Sequence, residues 1–132
     1  MKNTICNFSE IAPLKKVLIH RPGEEFLNLT PNTLERLLFD DIPYLKIAQE
    51  EHDAYANVLR EEGVEVVYLT DLAAEAIDAG GRTVRKKFLE QFIAEAGVTS
   101  PKIAKHCFDY LNAIKDTRDM VKNVLRESIF RS

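Results

Sequence analysis

The chain has 132 residues, of which 45% are hydrophobic and 30% charged, with 18 Lys and Arg against 21 Asp and Glu for a net charge of −3. These values fit one ordinary globular domain or less than one domain of a larger fold, and no apolar run approaches the about 18 residues of a membrane span. Basic residues are dispersed among acidic ones, with no Trp and no concentrated cationic patch, which speaks against nucleic acid as a partner. The N-terminus lacks the apolar core of a signal peptide, and two cysteines, Cys6 and Cys107, do not make a secreted disulfide framework. A cytoplasmic location is expected.

In chain order, the first element is Lys15-Lys16-Val17-Leu18-Ile19-His20, a short apolar run that predicts a strand buried on both faces. Pro22 and Gly23 end it. Thr30-Pro31 predicts a helix start, with Leu34, Leu37 and Leu38 on one face, and Pro43 ends the segment. A longer helix is expected from about Tyr44 to Glu62, its inner face carrying Leu45, Ala48, His52, Tyr55 and Leu59, with Gly63 as the stop. Val64 to Leu69 predicts a second strand. Strand, helix, helix, strand is a crossover, and crossovers give parallel pairs.

Beyond Thr70 the period becomes helical. Thr70-Asp71 opens a helix through about Ile77, and Gly80-Gly81 breaks it. Val84, Phe88, Leu89, Phe92, Ile93 and Ala96 form a stripe ended by Gly97. Ser100-Pro101 starts another helix, and Asp116 or Thr117 starts the last, which carries Met120, Val121, Val124 and Leu125. Residues 71–129 are thus expected to form a small bundle of four helices. Two short parallel strands do not make a stable sheet, because three or more covered strands are normally needed. The missing strands must come from sequence beyond Ser132 or from another chain.

Several residues invite a chemical role. Cys107 lies on the apolar side of a helical pattern and reads as a structural thiol, and its neighbour His106 points about 100° away. Thr117-Arg118-Asp119 reads as a cap and first helical turn. His20, His52 and His106 show no metal-ligand spacing and read as structural histidines. Glu50, Glu51, Asp53, Glu61 and Glu62 read as solvated helix faces.

The order Ser9-Glu10-Ile11, Leu14-Lys15-Lys16-Val17-Leu18-Ile19-His20-Arg21-Pro22-Gly23-Glu24, Thr30-Pro31 and Leu37-Leu38-Phe39-Asp40-Asp41 closely resembles the N-terminus of bacterial arginine deiminases. His52-Asp53, Gly63-Val64-Glu65-Val66 and Asp71-Leu72 extend the resemblance, and the helical remainder resembles that family's helical insertion. The resemblance implies an α/β fold: the opening β-α-β unit of a five-bladed propeller in residues 1–70, and the insertion in residues 71–132. It implies hydrolysis of L-arginine to L-citrulline and ammonia, by a cysteine thiolate that attacks the guanidinium carbon, a histidine acid and base, and carboxylates that hold the cation. That division suits a planar cation whose carbon needs a nucleophile and whose leaving ammonia needs a proton.

No metal or organic cofactor is implied. The family's catalytic groups lie downstream of this chain, its cysteine within a Gly-rich segment absent here. One substrate-site position carries over, Leu38, with Phe39 and Asp40 shaping the loop beside it. Two readings stand: the N-terminal part of an arginine deiminase, inactive alone and completed by the remaining propeller segments or another chain, and a non-catalytic interaction module derived from the same fold.

Overall fold

The computed structural model describes residues 9–29 and 43–128. The expected helix at Thr30–Leu38 and the Phe39-Asp40-Asp41 loop lie outside the described residues. The elements are β1 (Lys16–Ile19), a 3-10 helix (Glu24–Asn28), α1 (Leu45–Glu61), β2 (Glu65–Tyr68), α2 (Leu69–Glu95), α3 (Pro101–Ala113) and α4 (Thr117–Ser128).

The strands pair in parallel, with Val17 opposite Val66 and Ile19 opposite Tyr68, as the crossover pattern predicts. Helix α1 lies against β2, and its His52 ring sits 6.0 Å from the Tyr68 ring. Partners in a parallel ladder share a face, so Val17, Ile19, Val66 and Tyr68 face α1, and Leu18 and Val67 face the other way. Burial on both faces is not what the structure has: Leu18 is 52% exposed. The apolar run is right for a doubly covered strand, but among the described residues only one of its faces has a cover.

Helix boundaries follow local chemistry. The α1 terminus closes with Gly63 N–H donating to the Arg60 carbonyl at 3.0 Å and Val64 N–H to the Leu59 carbonyl at 2.9 Å. That double bond needs a left-handed residue between helix and strand, and Gly63 supplies it at φ 78°. Tyr68 ends β2 and precedes α2 directly. Gly81, at φ 64° and ψ −158°, is the one non-helical residue inside α2, so the break falls at the expected Gly-Gly pair, although the first half runs past Ile77 to reach it. Pro101 opens α3, where its missing N–H costs nothing. Asp116 caps α4, its Oδ1 accepting the Asp119 N–H at 2.8 Å.

The core lies among the helices. Ile77, Leu89, Leu111, Met120, Val121 and Val124 are buried together, with Phe88, Phe92, Phe108 and Ile114 packed around them. Arg85 ties the bundle together: its Nη2 donates to the Ile114 carbonyl at 2.5 Å and Nη1 to Thr117 Oγ1 at 3.2 Å. The Thr117 hydroxyl in turn donates to Asp78 Oδ1 at 2.5 Å. A guanidinium thus satisfies the last carbonyls of α3 and complements its negative end. The bundle also reaches the strand region, where α4 packs on the 3-10 helix and Arg126 Nη1 donates to Glu24 Oε2 at 3.1 Å.

Candidate functional site at the carboxyl end of the strands

In α/β proteins ligands bind at the carboxyl ends of parallel strands. There β1 gives way to His20-Arg21-Pro22-Gly23, and four polar contacts fix this turn. Glu25, only 8% exposed, accepts the His20 Nε2–H and the Gly23 N–H on the same Oε1, each at 2.7 Å. Gln49 of α1 donates to the Pro22 carbonyl at 2.8 Å. Arg21 grips Asp53 of α1 with two bonds of 2.8 Å. A Cβ at Gly23 would lie 2.5 Å from Glu25 Oε2, so a side chain there would require the Glu25 carboxylate to move out of its present place.

The electrostatics follow from these bonds. Burial pushes the Glu25 carboxyl up, but hydrogen bonds from His20 and from backbone N–H groups outweigh it and hold the carboxyl below its ordinary value. The hydrogen bond between Arg21 and Asp53 raises the guanidinium and lowers the carboxyl. The turn is therefore a rigid, ionised frame at the strand ends, from which the chain leads through buried Leu29 into residues 30–42.

Leu38, Phe39 and Asp40 belong to that stretch and lie outside the described residues. His20 is where the sequence puts it, just past the strand, and its side chain is one-third exposed. His52 is mostly enclosed beneath Tyr68, and its buried Nδ1 has no hydrogen-bond partner. Asp53 is more than a solvated acid, because it anchors Arg21. Cys107 is a free, partly buried thiol on α3, and His106 is exposed beside it. Thr117, Arg118 and Asp119 form the first turn of α4, with Arg118 pairing to Asp71 at 2.9 Å.

Sequence reasoning missed Glu25 and the 3-10 helix Glu24–Asn28 that carries it. The available signal is an acid two residues past a Pro-Gly turn, within reach of the turn's own N–H. A cleft of about 320 Å³ lies between α2 and the α3–α4 connection. Its inner polar groups, Asp78, Arg85 and Thr117, bond to one another, so it reads as part of the bundle's bracing. Among the described residues no group of three His, Cys, Asp or Glu side chains is arranged to hold a metal ion, and no helix is long and apolar enough to cross a membrane.

A parallel strand pair with a crossover helix, a braced turn at its carboxyl end and a helical bundle after it define an α/β chain of the mixed kind. The arginine deiminase family model matches residues 35–130. The chain is 58% identical over 113 residues to the arginine deiminase of Treponema denticola, covering 86% of this chain and 27% of that protein. It is 56% identical over 117 residues to that of Clostridium perfringens, covering 89% and 28%. Against that of Lentilactobacillus hilgardii it is 51% identical over 125 residues, covering 95% and 30%. The chain belongs to the arginine deiminase family, and it spans less than a third of the length of these curated relatives.

Proposed function

We propose that these residues are the N-terminal part of an arginine deiminase whose whole polypeptide hydrolyses L-arginine to L-citrulline and ammonia in arginine catabolism in the cytoplasm. The observation that carries this is the family match over residues 35–130, joined to relatives that are more than three times as long. Residues 1–70 open a five-bladed α/β propeller and residues 71–132 are a helical insertion. The half-covered strand pair supports that reading, since a propeller segment takes its second cover from its neighbours.

In the whole enzyme a thiolate outside this chain attacks the guanidinium carbon, and a histidine there delivers the proton that lets ammonia leave. This chain's contribution is placement. Leu38 lines the arginine pocket, with Phe39 and Asp40 beside it, and the frame of His20, Gly23, Glu25 and Gln49 anchors the chain that leads to them. Placement of this kind matters for rate because small displacements of a substrate are costly.

The test is citrulline formation by the whole polypeptide containing these residues, by its Leu38→Ala variant, and by residues 1–132 alone. The expected results are turnover by the whole polypeptide, none by residues 1–132, and a variant whose turnover falls by more than its loss of stability explains. Citrulline from residues 1–132 that Cys107→Ser abolishes would overturn the proposal.

A further inference from the structure

Helix α1 carries apolar side chains on two adjoining sides, and the described residues cover only one of them. At about 100° per residue, Leu45, Ala48, His52, Ala56 and Leu59 gather on one side, and all are buried or half-buried. Immediately beside them, Tyr44, the cap residue just before α1, and Ile47, Tyr55 and Val58 fall within about 80° of one another by the same rotation. These four are 70, 46, 54 and 56% exposed. The third side is polar, with Lys46, Glu50, Asn57, Arg60 and Glu61. A helix on the surface of a globular domain needs an apolar arc of about 100°, and that of α1, interrupted by Glu51, is about 180° wide. The uncovered half is a straight strip about 20 Å long. The strand pair repeats the pattern, with Leu18 exposed on the face away from α1.

The occupant can be argued from charge and length. Glu51 sits at the midpoint of the strip between Tyr44 and Val58, exposed and without a hydrogen bond or ion pair among the described residues. A second copy docked across a two-fold axis through that midpoint would bring Glu51 against Glu51, a like-charge contact that disfavours self-pairing. A surface with an apolar trough and one cation opposite Glu51 fits instead. Most of the length of each relative has no counterpart in this chain.

We infer that the Tyr44–Ile47–Tyr55–Val58 strip of α1 is the docking surface for the remainder of an arginine deiminase polypeptide, which meets it with an apolar trough and a Lys or Arg facing Glu51. This rests on the proposed function for the identity of the partner.

The experiment titrates residues 1–132 with the part of the Treponema denticola arginine deiminase that lies beyond its matched segment. Binding is followed by co-elution and by sedimentation, and citrulline formation by the mixture is measured separately. The expected result is a one-to-one complex weakened at least about tenfold by Tyr55→Glu or Val58→Glu, also weakened by Glu51→Lys, and unchanged by Lys46→Glu on the polar side, a tenfold loss being about 1.4 kcal/mol. All four positions are exposed, and circular dichroism of each variant verifies that the helices persist. Absence of a wild-type complex, a complex indifferent to Tyr55→Glu and Val58→Glu, or self-association of residues 1–132 that these variants abolish would each overturn the docking surface. A strip-dependent complex that forms no citrulline upholds the docking surface and counts against the proposed activity. Citrulline from a mixture indifferent to the strip variants does the reverse.

Discussion

Leu89 and Met120 have no exposed surface, whereas Leu18 and Val58 leave more than half of theirs in water. The first pair belongs to the helical region, the second to the strand region, and the two regions are held together by different means. The bundle closes on itself through apolar contact, through the Arg85 guanidinium that joins α2 to the end of α3 and the start of α4, and through the Arg118–Asp71 ion pair between α4 and α2. The strand region has little enclosed core, and polar bonds fix its geometry: Glu25 on the turn, Gln49 on Pro22, Arg21 on Asp53. Apolar burial scales with area removed from water, while a hydrogen bond fixes direction at a modest net gain. The contrast teaches that the bundle is built for stability and the strand region for position.

The comparison breaks most easily at Met120. Truncation to Ala removes a fully buried side chain from the centre of the cluster, and such truncations cost about 2–5 kcal/mol. Urea unfolding of Met120→Ala against wild type is expected to show a loss in that range. A loss below about 1 kcal/mol, under the range for such sites, would mean the bundle is not the stable part.

Arg85→Met comes next. It keeps the stem and removes the donors to Ile114 and Thr117, leaving carbonyls at the α3 terminus with less to accept. Hydrogen bonds from charged groups contribute about 1.5–3 kcal/mol, so a loss near 2 kcal/mol is expected by urea unfolding. An unchanged midpoint would reduce the bracing to a surface contact.

These two sites also mark what the sequence makes legible. The cluster at Leu89 and Met120 is visible as periodic stripes, because helical burial repeats every three to four residues. The parallel pairing of Val17 with Val66 is visible too, since β-branched runs flank a crossover and Gly63 marks the turn between helix and strand. The contact of Arg85 with Thr117, 32 residues on, and that of Arg126 with Glu24, 102 residues back, leave no periodic trace. Neither does the carboxylate of Glu25 beneath the turn, because a single hydrogen bond constrains one residue type at one place. The apolar run of β1 predicts cover on both faces, which is a statement about its neighbours, and local pattern does not say which neighbours the described residues supply. The leucine that resemblance singles out, Leu38, rests on matched motifs and not on geometry.

Glu25 sharpens the comparison through pH. Its folded-state pKa lies below the ordinary 4.5, so its contribution is present in full above that value and is lost as pH falls through the lower folded value. Glu25→Gln keeps an acceptor but not the charge, and is expected to cost about 1 kcal/mol at pH 7. The gap between wild type and variant should close toward pH 3. A gap that stays constant from pH 7 to pH 3 would show that the carboxylate's charge is irrelevant to the turn.

The smallest effect is expected at Val58, and there the sign matters more than the size. Val58→Ala removes the same kind of apolar atoms that Met120→Ala removes, but from a side chain already 56% exposed. Little burial is lost, and Ala is the better helix former by a few tenths of a kcal/mol. In residues 1–132 the substitution is expected to leave stability within about 0.5 kcal/mol of wild type or to raise it slightly. In the complete polypeptide the same substitution should become destabilising, by the 0.5–1.5 kcal/mol scale typical of removing one or two buried methyl groups. The difference between the two measurements reports what covers the α1 strip. If Val58→Ala costs the same in both, the strip stays in water in the whole protein, and the strand region's openness is a property of its fold rather than of a missing neighbour.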